Sequence, residues 1–164
     1  MSSERSAARE PNDACERAEF VLELPSELGV IEAAVTYLAK RLQEYDFCGS
    51  RLDLNFRVGL TEALANAVLY GNQGDPSKFV RVEVSLDERR IALEVIDQGT
   101  GFDPQSVPDP TLPEHIERPG GRGLFLLRKL MDEVEYNSRG NAVRLVLMRE
   151  PPRHGSSRTA PPPC

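Results

Sequence analysis

Between Val58 and Leu69 the chain reads VGLTEALANAVL, a helical stretch in which every residue except Thr61, Glu62 and Asn66 is apolar or glycine. A helix apolar nearly all round is ordinarily buried. An ionised carboxylate inside a protein is costly unless it is paired, hydrogen-bonded or beside a cation. At 100° per residue, Phe56, Leu60, Ala63, Leu64, Ala67 and Val68 cover one broad side, and Val58, Ala65 and Leu69 lie on the far side. Glu62 and Asn66 fall next to each other in the narrow stripe between, which Gly59 and Asn55 continue. The stripe therefore meets water in a cleft, pairs with an arginine elsewhere, or faces a polar ligand. Spacing alone does not choose.

A fold has to be found that leaves such a stripe useful. The 164 residues suit one domain with a core large enough to stand alone. Residues 1–16 are polar and aperiodic, and residues 150–164 are rich in proline and arginine, so both are expected to be disordered tails flanking a domain at 17–149. No apolar run approaches the roughly 20 residues of a membrane span, and the N-terminus lacks an apolar signal core. A net charge of −6 argues against a sequence-independent grip on nucleic acid, which needs a basic face. Cys15, Cys48 and Cys164 are odd in number and scattered, suggesting neither a disulfide framework nor a zinc site. The expectation is a cytoplasmic protein with reduced thiols, with no direct contact to nucleic acid or membrane.

Within the domain, AEFVLELP (Ala18–Pro25) reads as a strand, and Ser26 is placed to cap a helix running on to Tyr45. Cys48-Gly49-Ser50 breaks the chain before a second helix from about Arg51 to Tyr70, stopped by Gly71-Asn72. Phe79–Leu86 and Arg90–Asp97 alternate with period two around Asp87-Glu88-Arg89, a hairpin signature. Five prolines between Gly99 and Gly121 demand a long loop, and a loop of that length in a compact domain is expected to be a functional lid. GRGLFLLRKLMDEV opens a third helix, and Glu133–Asn137 with Ala142–Met148 reads as a closing hairpin. The pattern predicts an α+β fold, a two-layer α/β sandwich with helices on one face of a mixed, mostly antiparallel sheet.

Two further motifs carry chemistry. IDQGTGF brings Asp97 to the end of an alternating strand, on the face shared by Ile91, Leu93 and Val95. A carboxylate there can accept a hydrogen bond from an amino group in an otherwise apolar pocket, with Gly99 and Gly101 letting backbone approach a ligand. In RPGGRGLFLL, glycines 120, 121 and 123 lead into a helix whose first N–H groups have no intrahelical partners, an anion site to which Arg118 and Arg122 add charge. It is neither a Walker A loop nor a dinucleotide fingerprint.

Taken in order, E-x-x-x-N on a helix, D-x-G-x-G after a strand, a long proline-bearing loop and a G-x-G entry to a helix resemble the GHKL ATPases. Closest is their single-domain branch of anti-sigma-factor serine/threonine kinases. The likeness rests on Glu62-Ala-Leu-Ala-Asn66-Ala with Tyr70-Gly71-Asn72, on Asp97-Gln-Gly99-Thr-Gly101-Phe102-Asp103, and on Gly120 to Leu127 continuing to Val134. It implies the Bergerat ATP-binding fold with ATP and Mg²⁺ as ligands. It further implies that Asn66 holds the metal, Asp97 reads the adenine amino group, and Gly99 and Gly101 form the floor under the base. Gly121 and Gly123, with Leu124, would cradle phosphates, and Thr100 to Pro119 would be the ATP lid. Glu62 would be the general base and Arg118 would offset charge on the transferring phosphoryl group. One departure stands out: related kinases commonly begin the final strand with glycine and a threonine that helps hold adenine, whereas here Gly140 is followed by Asn141.

The resemblance implies a kinase acting on a STAS-domain anti-sigma-factor antagonist, with a sigma factor as second partner and a homodimer as in many relatives. A second reading is an ATP-dependent module that sequesters a partner and phosphorylates nothing. It needs Asn66 and Asp97 but not Glu62. A histidine-kinase half would need its acceptor on another protein, because His115 and His154 sit in the loop and the tail.

Overall fold

The computed structural model describes residues 17–106 and 122–149. Arg118, Gly120, Gly121, most of the expected lid and both expected tails lie outside the described residues. Five strands form one sheet in the order β1-β2-β3-β5-β4, where β1 is Ala18–Pro25, β2 Phe79–Leu86, β3 Arg90–Ile96, β4 Glu133–Tyr136 and β5 Ala142–Met148. All four pairings are antiparallel. Asp87 closes the β2–β3 turn because its carboxylate accepts the N–H groups of Arg89 (2.8 Å) and Arg90 (3.0 Å).

Alternation decides which face is covered. Val80, Val82, Val84 and Leu86 of β2, with Ile91, Leu93 and Val95 of β3, join Leu38, Leu42, Leu60, Leu64 and Leu127 of the helices in one core. The opposite face is charged. There Arg81 pairs with Glu23 at 3.1 Å and Glu83 at 2.7 Å, and Arg144 lies 3.8 Å from both Glu133 and Glu135. These exposed pairs contribute little to stability, but they keep that face polar.

The helices depart from the sequence reading in instructive ways. Helix α1 (Ile31–Gln43) follows a single 3₁₀ turn at Leu28–Val30, and neither start has a side-chain cap. Ser26 is buried and donates its backbone N–H to the Lys78 carbonyl at 3.2 Å, docking β1 onto the approach to β2 instead of capping. The helix stops at Gln43 rather than Tyr45. Asp46 adopts a left-handed φ of 56°, and the Phe47 N–H returns to the Leu42 carbonyl at 3.1 Å, burying the Phe47 ring.

Helix α2 (Arg57–Asn66) is the straight centre of a longer helical rod, with wider π-type turns at Arg51–Phe56 before it and Ala67–Gly71 after it. It packs between α1 and α3 (Arg122–Leu130). Leu60, Ala63 and Leu64 are buried, but Leu69 on the far side is 44% exposed, so the rod is not buried all round. Among the described residues no helix is long and apolar enough to cross a membrane. Cys48 is disulfide-bonded, which corrects the expectation of reduced thiols; Cys15 and Cys164, the remaining cysteines, lie outside the described residues.

Candidate functional site

The polar stripe of α2 divides between two neighbours. Its lower half is packed: the Asn55 side chain donates to the Leu130 carbonyl at 2.7 Å, and the Met131 side chain lies against Gly59. Its upper half opens. Glu62 and Asn66 are half-buried and line a cavity of about 690 Å³, together with Tyr70, Gly71, Asp97, Gly101, Gly123 and Leu124. The Glu62 carboxylate makes no hydrogen bond or ion pair with the described residues. Of the three readings of the stripe, the cleft is the one observed.

Three elements converge there. The first turn of α3 runs so close to α2 that a Cβ placed on Gly123 would lie 3.1 Å from Asn66 Nδ2 and 3.2 Å from Glu62 Oε2. The start of α3 therefore stands beside the carboxylate and the carboxamide with no room for a side chain between them. The end of β3 brings in Asp97. It is pressed against the end of the α2 rod, where a Cβ on Gly71 would meet its carboxylate carbon at 2.3 Å. Asp97 Oδ1 accepts the Gly99 N–H at 2.8 Å. Burial pushes the Asp97 pKa up, and the Gly99 hydrogen bond with the nearby Lys78 and Arg139 charges offsets only part of that. Gly101 lines the cavity, whereas Gly99 stands behind Asp97, tight against the Gly71 carbonyl.

The cavity is therefore graded. One end carries a half-buried carboxylate among Val95, Ala142, Val143 and Tyr136; the other carries Glu62, Asn66, Arg122 and the opening turn of α3. An elongated ligand with an amino-bearing apolar ring and an anionic tail suits that polarity. The sequence from position 24 to 147 matches the histidine kinase-like ATPase domain model, running from the end of β1 through β5. The chain belongs to the histidine kinase-like ATPase family.

Within this family it groups with the anti-sigma kinase branch. It is 29% identical over 120 residues to a serine-protein kinase, RsbW, of Oceanobacillus iheyensis, covering 70% of this chain and 73% of that one. It is 32% identical over 118 residues to the protein of the same name from Bacillus licheniformis, covering 67% and 70%. An anti-sigma F factor of Clostridium beijerinckii is 25% identical over 99 residues, covering 57% and 68%.

The histidine kinase-like ATPase family binds ATP, and the donor set on this cavity bears on the metal as well. Among the described residues no group of three or more His, Cys, Asp or Glu could cage an ion. The Asn66 carboxamide on the wall fits a hard cation that keeps most of its ligands as water or phosphate.

Sequence reasoning passed over two contributors. Tyr136 lines the cavity, and its ring meets Phe102 edge-on with centroids 5.1 Å apart. Burial raises its phenol pKa. The register could have found it, because Val82, Val95, Val143 and Tyr136 form one row across the sheet. Asn72 was visible only as part of a motif. Fully buried, it donates to the Phe79 carbonyl at 2.9 Å and accepts the Gln98 N–H at 2.7 Å, tying the end of the α2 rod to β2 and to the Asp97 loop.

Proposed function

We propose that this chain is an ATP-dependent serine/threonine-protein kinase of the anti-sigma-factor type, transferring the γ-phosphate to a serine or threonine of a STAS-domain antagonist and thereby regulating a sigma factor. The observation that carries the reading is the placement of Glu62 beside Asn66 against the first turn of α3, in the same cavity as Asp97.

In this reading the Asp97 carboxylate accepts from the adenine amino group, and the Tyr136, Val95 and Val143 row flanks the base. The Gly123 and Leu124 turn holds phosphate oxygens through backbone N–H groups, joined by Gly121. Asn66 would hold Mg²⁺ through its side-chain oxygen, and when bound the ion neutralises charge on the phosphates. Glu62, with no hydrogen-bond or ion-pair partner among the described residues, takes the proton of the acceptor hydroxyl as that oxygen bonds to the γ-phosphorus. The bond from phosphorus to the β,γ-bridging oxygen breaks and ADP leaves. Arg118 would offset charge on the moving phosphoryl group. A cytoplasmic location and a homodimer belong to the same reading.

The deciding experiment incubates the protein with labelled ATP and candidate antagonist proteins of the same source. Label on one serine or threonine is expected. Glu62→Ala is expected to keep nucleotide binding and lose transfer by about 10²–10⁴-fold, the usual worth of a positioned base. Tight ATP-dependent binding of the partner with no label from the wild-type protein would instead identify a sequestering module.

A further inference from the structure

The turn between β4 and β5 is built around one side chain. Asn137 Oδ1 accepts the backbone N–H groups of Gly140 (2.7 Å), Asn141 (3.1 Å) and Ala142 (3.3 Å). Asn137 Nδ2 donates onward to Asn141 Oδ1 at 2.9 Å, and Asn141 Nδ2 donates to the Asp97 carbonyl at 3.1 Å. The Asp97 N–H closes the circuit by donating to the Asn141 carbonyl at 2.9 Å.

The direction of this chain of amides is fixed by chemistry. The Asp97 carbonyl can only accept, so Asn141 must present its NH₂ there and its oxygen to Asn137. Asn137 in turn has its oxygen committed to three N–H groups, so only its NH₂ remains to meet Asn141. The same turn grips the next loop. A Cβ on Gly101 would lie 1.8 Å from the Arg139 carbonyl oxygen, and one on Gly140 would lie 1.9 Å from that of Phe102. Both glycines have left-handed φ, 79° and 76°. The backbone on either side of Asp97 is therefore held from one source.

We propose that Asn137, which is exposed and lines no part of the cavity, is a positioning residue for base selection: through Asn141 it sets the Asp97 carboxylate where an exocyclic amine must be met. The inference rests on the nucleotide reading of the site and adds to it a residue outside the cavity. Asn137→Asp separates positioning from folding. A carboxylate still accepts the three turn N–H groups, but it cannot donate to Asn141. Asn141 then satisfies the aspartate by turning its NH₂ towards it, which sets its oxygen against the Asp97 carbonyl, acceptor to acceptor.

The test measures binding of ATP and of purine riboside triphosphate, which lacks only the 6-amino group, to wild-type and Asn137→Asp protein. Wild type is expected to prefer ATP. The variant is expected to lose about tenfold in ATP affinity, the size of one displaced hydrogen-bonding contact, while binding the amine-free nucleotide as wild type does and melting within about 5 °C of it. Equal losses for both nucleotides, or no loss for either, would overturn the positioning role and leave Asn137 as a turn residue. A wild type that shows no preference for ATP would instead overturn the base-reading role of Asp97, and the inference with it.

Discussion

Asp97 is held at a cost that its ligand would relieve. Burial raises its pKa, so the folded chain holds the proton more tightly than the unfolded chain does. Stability from this group is then fully present below the unfolded pKa and is lost as the pH rises through the higher folded value. Ligand binding runs the other way, because a protonated carboxyl stops being a pure acceptor for an amine. Affinity for ATP is expected to fall as the pH drops from neutral through the raised pKa, with Asp97→Asn weak and pH-independent over that range; calorimetric titrations of both proteins check this. An affinity unchanged across the range in wild type would remove the amine contact. Asn66 differs in having no charge to titrate. Asn66→Ala is expected to abolish magnesium-dependent ATP binding while leaving the fold intact, and wild-type affinity in that variant would defeat the metal assignment.

Helix α3 shows how an element can be tuned for a site rather than for itself. It has only nine residues, short of what an isolated helix needs, and its fully buried Leu127 with Met131 just beyond anchors it to α2. Alanine at Gly123 would favour the helix by up to about 1 kcal/mol, yet its Cβ would crowd Asn66 and Glu62. Gly123→Ala is therefore expected to match or exceed wild-type stability in urea unfolding while losing at least about tenfold in nucleotide affinity. Retained affinity would show that the approach of α3 to α2 matters less than its geometry implies. The α2 rod makes the complementary point. Periodicity assigned its buried side correctly, but the same stripe serves packing at Asn55 and Gly59, where the end of α3 and Met131 fill it, and opens to the cavity at Glu62 and Asn66, where α3 offers only Gly123.

At the scale of the molecule, the sheet separates two chemistries, a covered apolar face that floors the cavity and a charged face opposite. The disulfide at Cys48 is open to a direct test. Alkylation in denaturant without reductant is expected to label one of the three thiols, and three labelled cysteines would show that the bond does not form. The strands and the core were legible because period-two alternation follows directly from backbone geometry; β1, β2 and β5 begin and end where the alternation does. The E-x-x-x-N, D-x-G-x-G and G-x-G motifs were legible for the same reason, since each is local in sequence. Ser26 was misread because its surroundings come from Lys78, far along the chain. The end of α1 was misread because burying Phe47 outweighed helical propensity. Tyr136, Asn72 and the Asn137 to Asp97 amide chain depend on strand register and on loops meeting across the sheet, contacts that no single window of residues encodes. The sequence by itself determined the elements, the layer they form and the residues able to do chemistry. Only the tertiary structure decided which of those residues share one cavity, because side chains from distant segments meet through packing, and packing is settled by the whole chain at once.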